Sequence, residues 1–160
     1  MLFEYKQSYK TERLLLRKFT EQDLEALFLI LKDEEVNKFL PWYPVKHIEE
    51  AKRFYEERYA SKYAQPQGYA YAICLKEDNY PIGYIKVDME EHHDFGYGLR
   101  KEFWHRRIVT EAGRAIVEQV KKDGLPYITA THDNFVDNTD FVYRKYWNES
   151  ENHFIEAQLS

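Results

Sequence analysis

Residues 94–124 read DFGYGLRKEFWHRRIVTEAGRAIVEQVKKDG, and the parsing of this stretch decides the fold. Phe95, Tyr97 and Leu99 alternate with a period of two, which predicts a strand. Gly96 and Gly98 fall inside it, where glycine marks a bulge or the close approach of another backbone or a ligand. A basic, aromatic turn follows from Lys101 to Arg107. From Ile108 the apolar residues recur at Ala112, Ala115, Ile116 and Val120, a helical stripe. Gly124 closes that helix as its C′ glycine, with Pro126 just beyond.

A strand that enters a helix through a tight basic turn is suited to an anion. The first helical N–H groups have no intrahelical acceptor, and the helix dipole adds partial positive charge there. Phosphates bind such ends. Arg100, Lys101, Arg106 and Arg107 gather further positive charge at the same turn. A solvated basic loop of an α/β domain has the same composition, so the charge alone does not separate the two readings.

Outward from this stretch, the whole chain bounds the answer. Its 160 residues fit one domain, 1–160, and 44% apolar residues exclude a disordered tail. A net charge of −5 argues against broad contact with nucleic acid or an anionic membrane, and suits a cationic ligand such as an amine. Cys74 is the only cysteine, so a disulfide framework is excluded; within AYAIC it reads as a small buried hydrophobe. The first residues lack a signal-peptide core, and no run approaches the ~20 apolar residues of a membrane helix. A cytoplasmic protein is expected.

Before the central stretch, Thr11–Phe19 predicts a strand. Thr20 with Asp23 forms a capping signal for a helix carrying Leu24, Leu27, Phe28 and Leu31. Pro41 and Pro44 interrupt, and a second helix runs from His47 to about Tyr63. Gly68–Lys76 and Pro81–Met89 predict two strands joined by a turn at 77–80. Residues 90–94, EEHHD, read as a hairpin rather than a metal site: adjacent His92 and His93 would point to opposite sides of a strand. Beyond Gly124, Tyr127–Thr131 alternates as a strand.

The run GYGLRKEFWHRRIVTEA resembles the acetyl-coenzyme A loop of the GNAT superfamily of N-acetyltransferases, and most resembles the branch containing the ribosomal-protein N-terminal acetyltransferases. That branch often reads G-Y-x-L, a few residues, then W-G-K-G-I-A-T-E-A. Trp104, Ile108, Thr110, Glu111 and Ala112 match as they stand, and Arg106 keeps the basic middle position. His105 and Arg107 replace the two loop glycines. TERLLLR, the Leu40-Pro41-Trp42 segment, and YAYAIC followed by PIGYIKV are similar to other motifs of the family. Past Asn134 the likeness thins. Val142, Arg144 and Lys145 resemble the family's next helix, and His153–Leu159 stands where two further strands are usual.

The resemblance implies an α+β fold with a twisted, mostly antiparallel sheet of about six strands and helices on both faces. The sheet would splay between its fourth and fifth strands, with a short or rearranged C-terminus and an exposed edge open to homodimerisation. It implies an enzyme moving an acetyl group from acetyl-CoA to a primary amine, a protein N-terminus or a small amine, by direct attack in a ternary complex without a metal. The donor site would comprise Gly98, Leu99, Arg100, Trp104, His105, Arg106, Arg107, Ile108, Val109 and Thr110, with a backbone N–H near Gly98 or Leu99 for the oxyanion. Trp104 is expected to pack beneath the turn. His132 or Asp133, and after them Asp94, are candidates for the base, Tyr143, with Tyr146 competing, for the acid, and Trp42, Tyr43 and Asp94 for acceptor contacts. Glu111 reads as structural, favoured by the helix dipole. A non-catalytic binding module on the same fold stays open, and the replaced glycines decide between the two. If those glycines serve positive φ, side chains strain the turn; if they serve close approach, the side chains point outward.

Overall fold

The computed structural model describes residues 8–37, 43–65, 68–90, 93–133 and 140–146, with only the main chain described for 130–133 and 140–146. Its centre is a seven-stranded sheet: β1 (Ser8–Lys10), β2 (Leu14–Arg17), β3 (Tyr69–Leu75), β4 (Pro81–Val87), β5 (Asp94–Leu99), β6 (Tyr127–Asp133) and β7 (Asp140–Tyr146). The strands lie side by side in chain order. Every neighbouring pair is antiparallel except β5 and β6, which run parallel. A parallel neighbour demands a crossover, and α4 (Ile108–Lys122) supplies it.

Alternation along β3 divides the core in two. Tyr69, Tyr71 and Ile73 face the side covered by α4, where they meet Ile85, Phe95, Ile116 and Val120. Ala70, Ala72 and Cys74 face the other side, under Leu27, Ile30 and Leu31 of α1 (Leu24–Leu31) and Tyr59. Cys74 is fully buried, as its apolar context predicts.

The helix starts are chemically specified. Thr20 and Asp23 form the capping box ahead of α1. Asp23 also takes both Nη groups of Arg17, at 2.8 and 3.0 Å, and is buried while doing so. The second helix begins as α2 (Ile48–Tyr55), widens through a π turn at Glu56–Ala60 and ends in α3 (Ser61–Tyr63). At the C-terminus of α4, Gly124 adopts φ 94°, its N–H bonds Lys121 O and the Leu125 N–H bonds Val120 O. This paired arrangement absorbs the last helical carbonyls.

One expectation is corrected and two are made specific. The sheet, expected with about six strands, has seven among the described residues, residues 8–10 pairing with β2 ahead of the predicted first strand. Residues 140–146, read by resemblance as helix, form β7 against β6. Four of the seven residues of DFVYRKY, namely Phe141, Val142, Tyr143 and Tyr146, are aromatic or β-branched, the types that favour a strand. Finally, Gly96 and Gly98 make no bulge: the β4–β5 register is unbroken from Gly83↔Leu99 to Val87↔Phe95, and the irregularity falls at Ile73/Cys74 instead. Among the described residues no helix is long and apolar enough to cross a membrane.

Candidate functional site at the splay of the sheet

β5 and β6 pair only at Asp94↔Thr129 and Phe95↔Ala130. Beyond those positions the two strands separate, so the expected splay is present; the extra strand places it between the fifth and sixth. Into this gap opens a cavity of about 490 Å³, lined by Val36, Tyr97, Gly98, Leu99 and the turn from Phe103 to Val109.

The peptide groups facing the gap follow from the ladder. Arg100 N–H donates to Ile82 O at 2.9 Å, and Asp88 N–H to Asp94 O at 3.1 Å. Antiparallel bonding alternates, so the even-numbered residues of β5, Gly98 among them, address β4. Tyr97 and Leu99 address the opposite edge, where β6 has departed. Of the two amides expected to serve an oxyanion, the structure turns that of Leu99 toward the gap. Gly98 is fixed by another contact: a Cβ there would lie 2.5 Å from Cε1 of Tyr84. Its missing side chain makes room for that ring.

The turn is a 3₁₀ segment, Lys101–Phe103, followed by four residues that deliver the chain to α4. His105 has φ 63° and Arg107 φ 57°. Both lie in the left-handed region that glycine adopts most readily, and this chain adopts it there with side chains. Such residues cost about 1–2 kcal/mol each. His105→Gly and Arg107→Gly are each expected to raise stability by about 0.5–1 kcal/mol, relief of strain less the added freedom of the unfolded chain. A urea midpoint that rises at constant slope checks this.

α4 makes its first internal bond from Glu111 N–H to Arg107 O, at 3.1 Å. The amides of Ile108 and Val109 precede it and lack intrahelical acceptors, and both residues line the cavity. The basic residues differ in how far they are neutralised. Arg100 pairs with Glu102 at 2.6 Å, and Lys101 lies 3.8 Å from Asp33 and 3.7 Å from Glu35. Arg106 stacks over Phe103 at 5.5 Å. Among the described residues, Arg106 and Arg107 form no ion pair.

Eight of the expected donor residues line this cavity; Arg100 and Thr110 do not. Trp104 departs from expectation. Its indole N–H donates to Leu99 O at 2.7 Å, tying the turn to the end of β5, yet the ring is 39% exposed rather than packed beneath the turn. Val36, Tyr97 and Phe103 line the cavity and were not among the candidates. Alternation with Leu99 was the available signal for Tyr97; Val36 comes from a distant segment and offered none.

The remaining candidates are dispersed. Asp94 sits where β5 and β6 still pair, 3.8 Å from Lys86 and five positions from Leu99, or about 17 Å along a strand. Continuing the register across the gap sets the main chain of His132 level with Tyr97 and that of Asp133 level with Gly98. Tyr143 is on β7 opposite Ala130, so β6 stands between its main chain and the gap. Tyr43 is 93% exposed. Trp42 and residues 153–159 lie outside the described residues.

Glu111 is held by the start of β2. It accepts from the Thr11 hydroxyl, from the Arg13 N–H at 2.9 Å and from Arg13 Nε at 2.7 Å. Burial raises its pKa, but these hydrogen bonds outweigh burial and leave it below the ordinary value. The carboxylate is thus structural, as its place in the first helical turn implies.

Residues 13–139 match a family described as Acetyltransferase (GNAT) domain. An uncharacterised N-acetyltransferase of Bacillus subtilis is 27% identical over 112 residues, covering 68% of this chain and 63% of that protein, less than two thirds of its length. A GNAT-family acetyltransferase structure from Bacillus anthracis superposes with a TM-score of 0.67 and 26% identity, covering 79% of this chain and 74% of that one. A structure from Salmonella typhimurium, described as modifying the N-terminal serine of ribosomal protein L7/L12, shares the fold at a TM-score of 0.65 and 22% identity, over 81% of this chain and 75% of its own.

Proposed function

This chain belongs to the acetyltransferase (GNAT) family, and on that premise we propose that it transfers an acetyl group from acetyl-CoA to a primary amine by direct attack in a ternary complex. The observation that carries the proposal is the cavity of about 490 Å³ at the splay, lined by the first residues of α4 and by Arg106 and Arg107. It offers a diphosphate the amides of Ile108 and Val109 and the guanidinium groups of Arg106 and Arg107. Acetyl-CoA supplies an activated thioester and a thiolate leaving group. Leu99 N–H addresses the gap where the carbonyl oxygen gains charge.

An amine at its reference pKa is protonated at neutral pH, and a base at the open end of β6 answers that need. His132 and Asp133 are the proposed bases. With Tyr143 on β7, Tyr97 is the phenol set in the cavity; burial raises its pKa, so it stays protonated and donates a hydrogen bond to the departing sulfur. A protein N-terminus fits the acceptor role, in line with the Salmonella neighbour, and a small amine fits it equally.

The alternative is a binding module that has lost its donor site. The left-handed backbone retained at His105 and Arg107 favours the enzyme. Acetyl-CoA at about 100 times its dissociation constant is expected to stabilise the fold by about 2.7 kcal/mol, read as a rise in melting temperature. Thiol release should accompany it with a panel of free-amine peptides and small amines. No shift at millimolar acetyl-CoA sinks the proposal; a shift without release on any amine selects the module.

A further inference from the structure

The turn between β5 and α4 carries two left-handed, non-glycine residues, and backbone of that kind persists only where its surroundings over-determine it. The residue between them is Arg106. Its carbonyl accepts from Arg13 Nη1 at 2.9 Å, while Nε of the same guanidinium bonds Glu111 at 2.7 Å. Arg13 therefore bridges the middle of the turn and the first turn of α4 with one planar fork. Its own position is set as well: Thr11 N–H donates to Leu14 O at 3.0 Å, Leu14 N–H to Thr11 Oγ1 at 3.1 Å, and the Thr11 hydroxyl donates to Glu111.

We propose that Arg13 is a positioning residue for donor binding: it holds the peptide at Arg106 so that the amides of Ile108 and Val109 face the diphosphate. The inference rests on the acetyltransferase reading of the cavity. Arg13 touches the turn through a main-chain carbonyl and a helical carboxylate, so it acts through the loop rather than on the reacting atoms. Lysine cannot replace it fully, because one ammonium on a flexible stem does not reproduce the fork that serves two acceptors in one plane. The strain at His105 and Arg107 makes the clamp necessary here, where glycines would hold the same backbone at lower cost.

Arg13→Ala is expected to raise KM for acetyl-CoA roughly 10- to 30-fold, the loss of hydrogen bonds from a charged donor. kcat should stay within about twofold, since the loss falls on ground state and transition state alike. Arg13→Lys should keep an ion pair to Glu111, lose the Arg106 contact, and still raise KM severalfold. Asn79→Ala, which removes a partner of Arg17 at the other end of β2, controls for lost stability and should leave KM unchanged. Amide hydrogen exchange across 104–107 in the free protein reads the clamp without ligand, and should accelerate in both Arg13 variants. Wild-type exchange in those variants overturns the clamp, whatever the cavity binds. Accelerated exchange with wild-type KM overturns its role in donor binding. Failure of the wild-type protein itself to bind acetyl-CoA would instead sink the acetyltransferase reading, and the positioning role with it.

Discussion

Asp23→Ala is expected to lower folding stability by about 3–5 kcal/mol, the cost of breaking a buried ion pair by deleting one partner. The carboxylate is 8% exposed, holds both Nη groups of Arg17 and accepts the Thr20 N–H at 2.8 Å. Alanine thus strands a half-buried guanidinium and breaks the capping box of the 3₁₀ turn that leads into α1 in one step. In a chain of this size the fall in melting temperature should be on the order of 10 °C. The pH dependence carries a second signature. Burial raises the Asp23 pKa, yet the bonds from Arg17 and Thr20 overcome it and leave the pKa below the ordinary value. A depressed folded-state pKa stabilises fully above the unfolded value, near 3.9, and the benefit is lost as pH falls through the lower folded value. The variant should therefore show a flatter stability profile across the acid limb. Equal slopes for the two proteins below pH 4 would contradict this account.

Replacing the Leu99 N–H by an ester oxygen, with the α-hydroxy analogue of leucine, is expected to lower kcat by about 10²–10³, the usual loss for one oxyanion donor. The side chain is unchanged, and the amide addresses the gap rather than β4, so no ladder donor is removed. The substitution does make Gly98 O a weaker acceptor toward β4, costing about 1 kcal/mol of stability. The same replacement at Gly98 removes a donor aimed at β4, and should cost stability while leaving kcat comparatively intact. If the two positions exchange these outcomes, the ladder alternation has been read in the wrong phase.

Legibility in the sequence followed the range of the forces involved. α4 was readable because its stripe, its charged first turn and Gly124 are local signals that agree. The β3–β4 pair was readable for the same reason. β7 was not: the resemblance supplied a helix for residues 140–146, while the aromatic and β-branched content that suits a strand was present in the run itself. Gly98 was open between a bulge and a close approach because glycine in a strand has several causes, and the ring of Tyr84 that decides it lies across a pairing 14 residues away. His105 and Arg107 could be located but not interpreted, since φ is a property of the folded turn. The ties from Thr11 and Arg13 to Glu111 went unread, although each residue belongs to a quoted motif. Nothing local joins the two motifs.

Those ties span 98 residues of chain between Arg13 and Glu111. At ribosomal rates of ~5–20 residues per second, an interval of roughly 5–20 s separates the synthesis of the two partners. The meander from β1 to β5 is complete in that interval, with α1 and α2 able to close over one of its faces. The turn that lines the cavity cannot settle until the helix following it has emerged and met a strand made near the beginning. In birth order, the scaffold exists well before the site does.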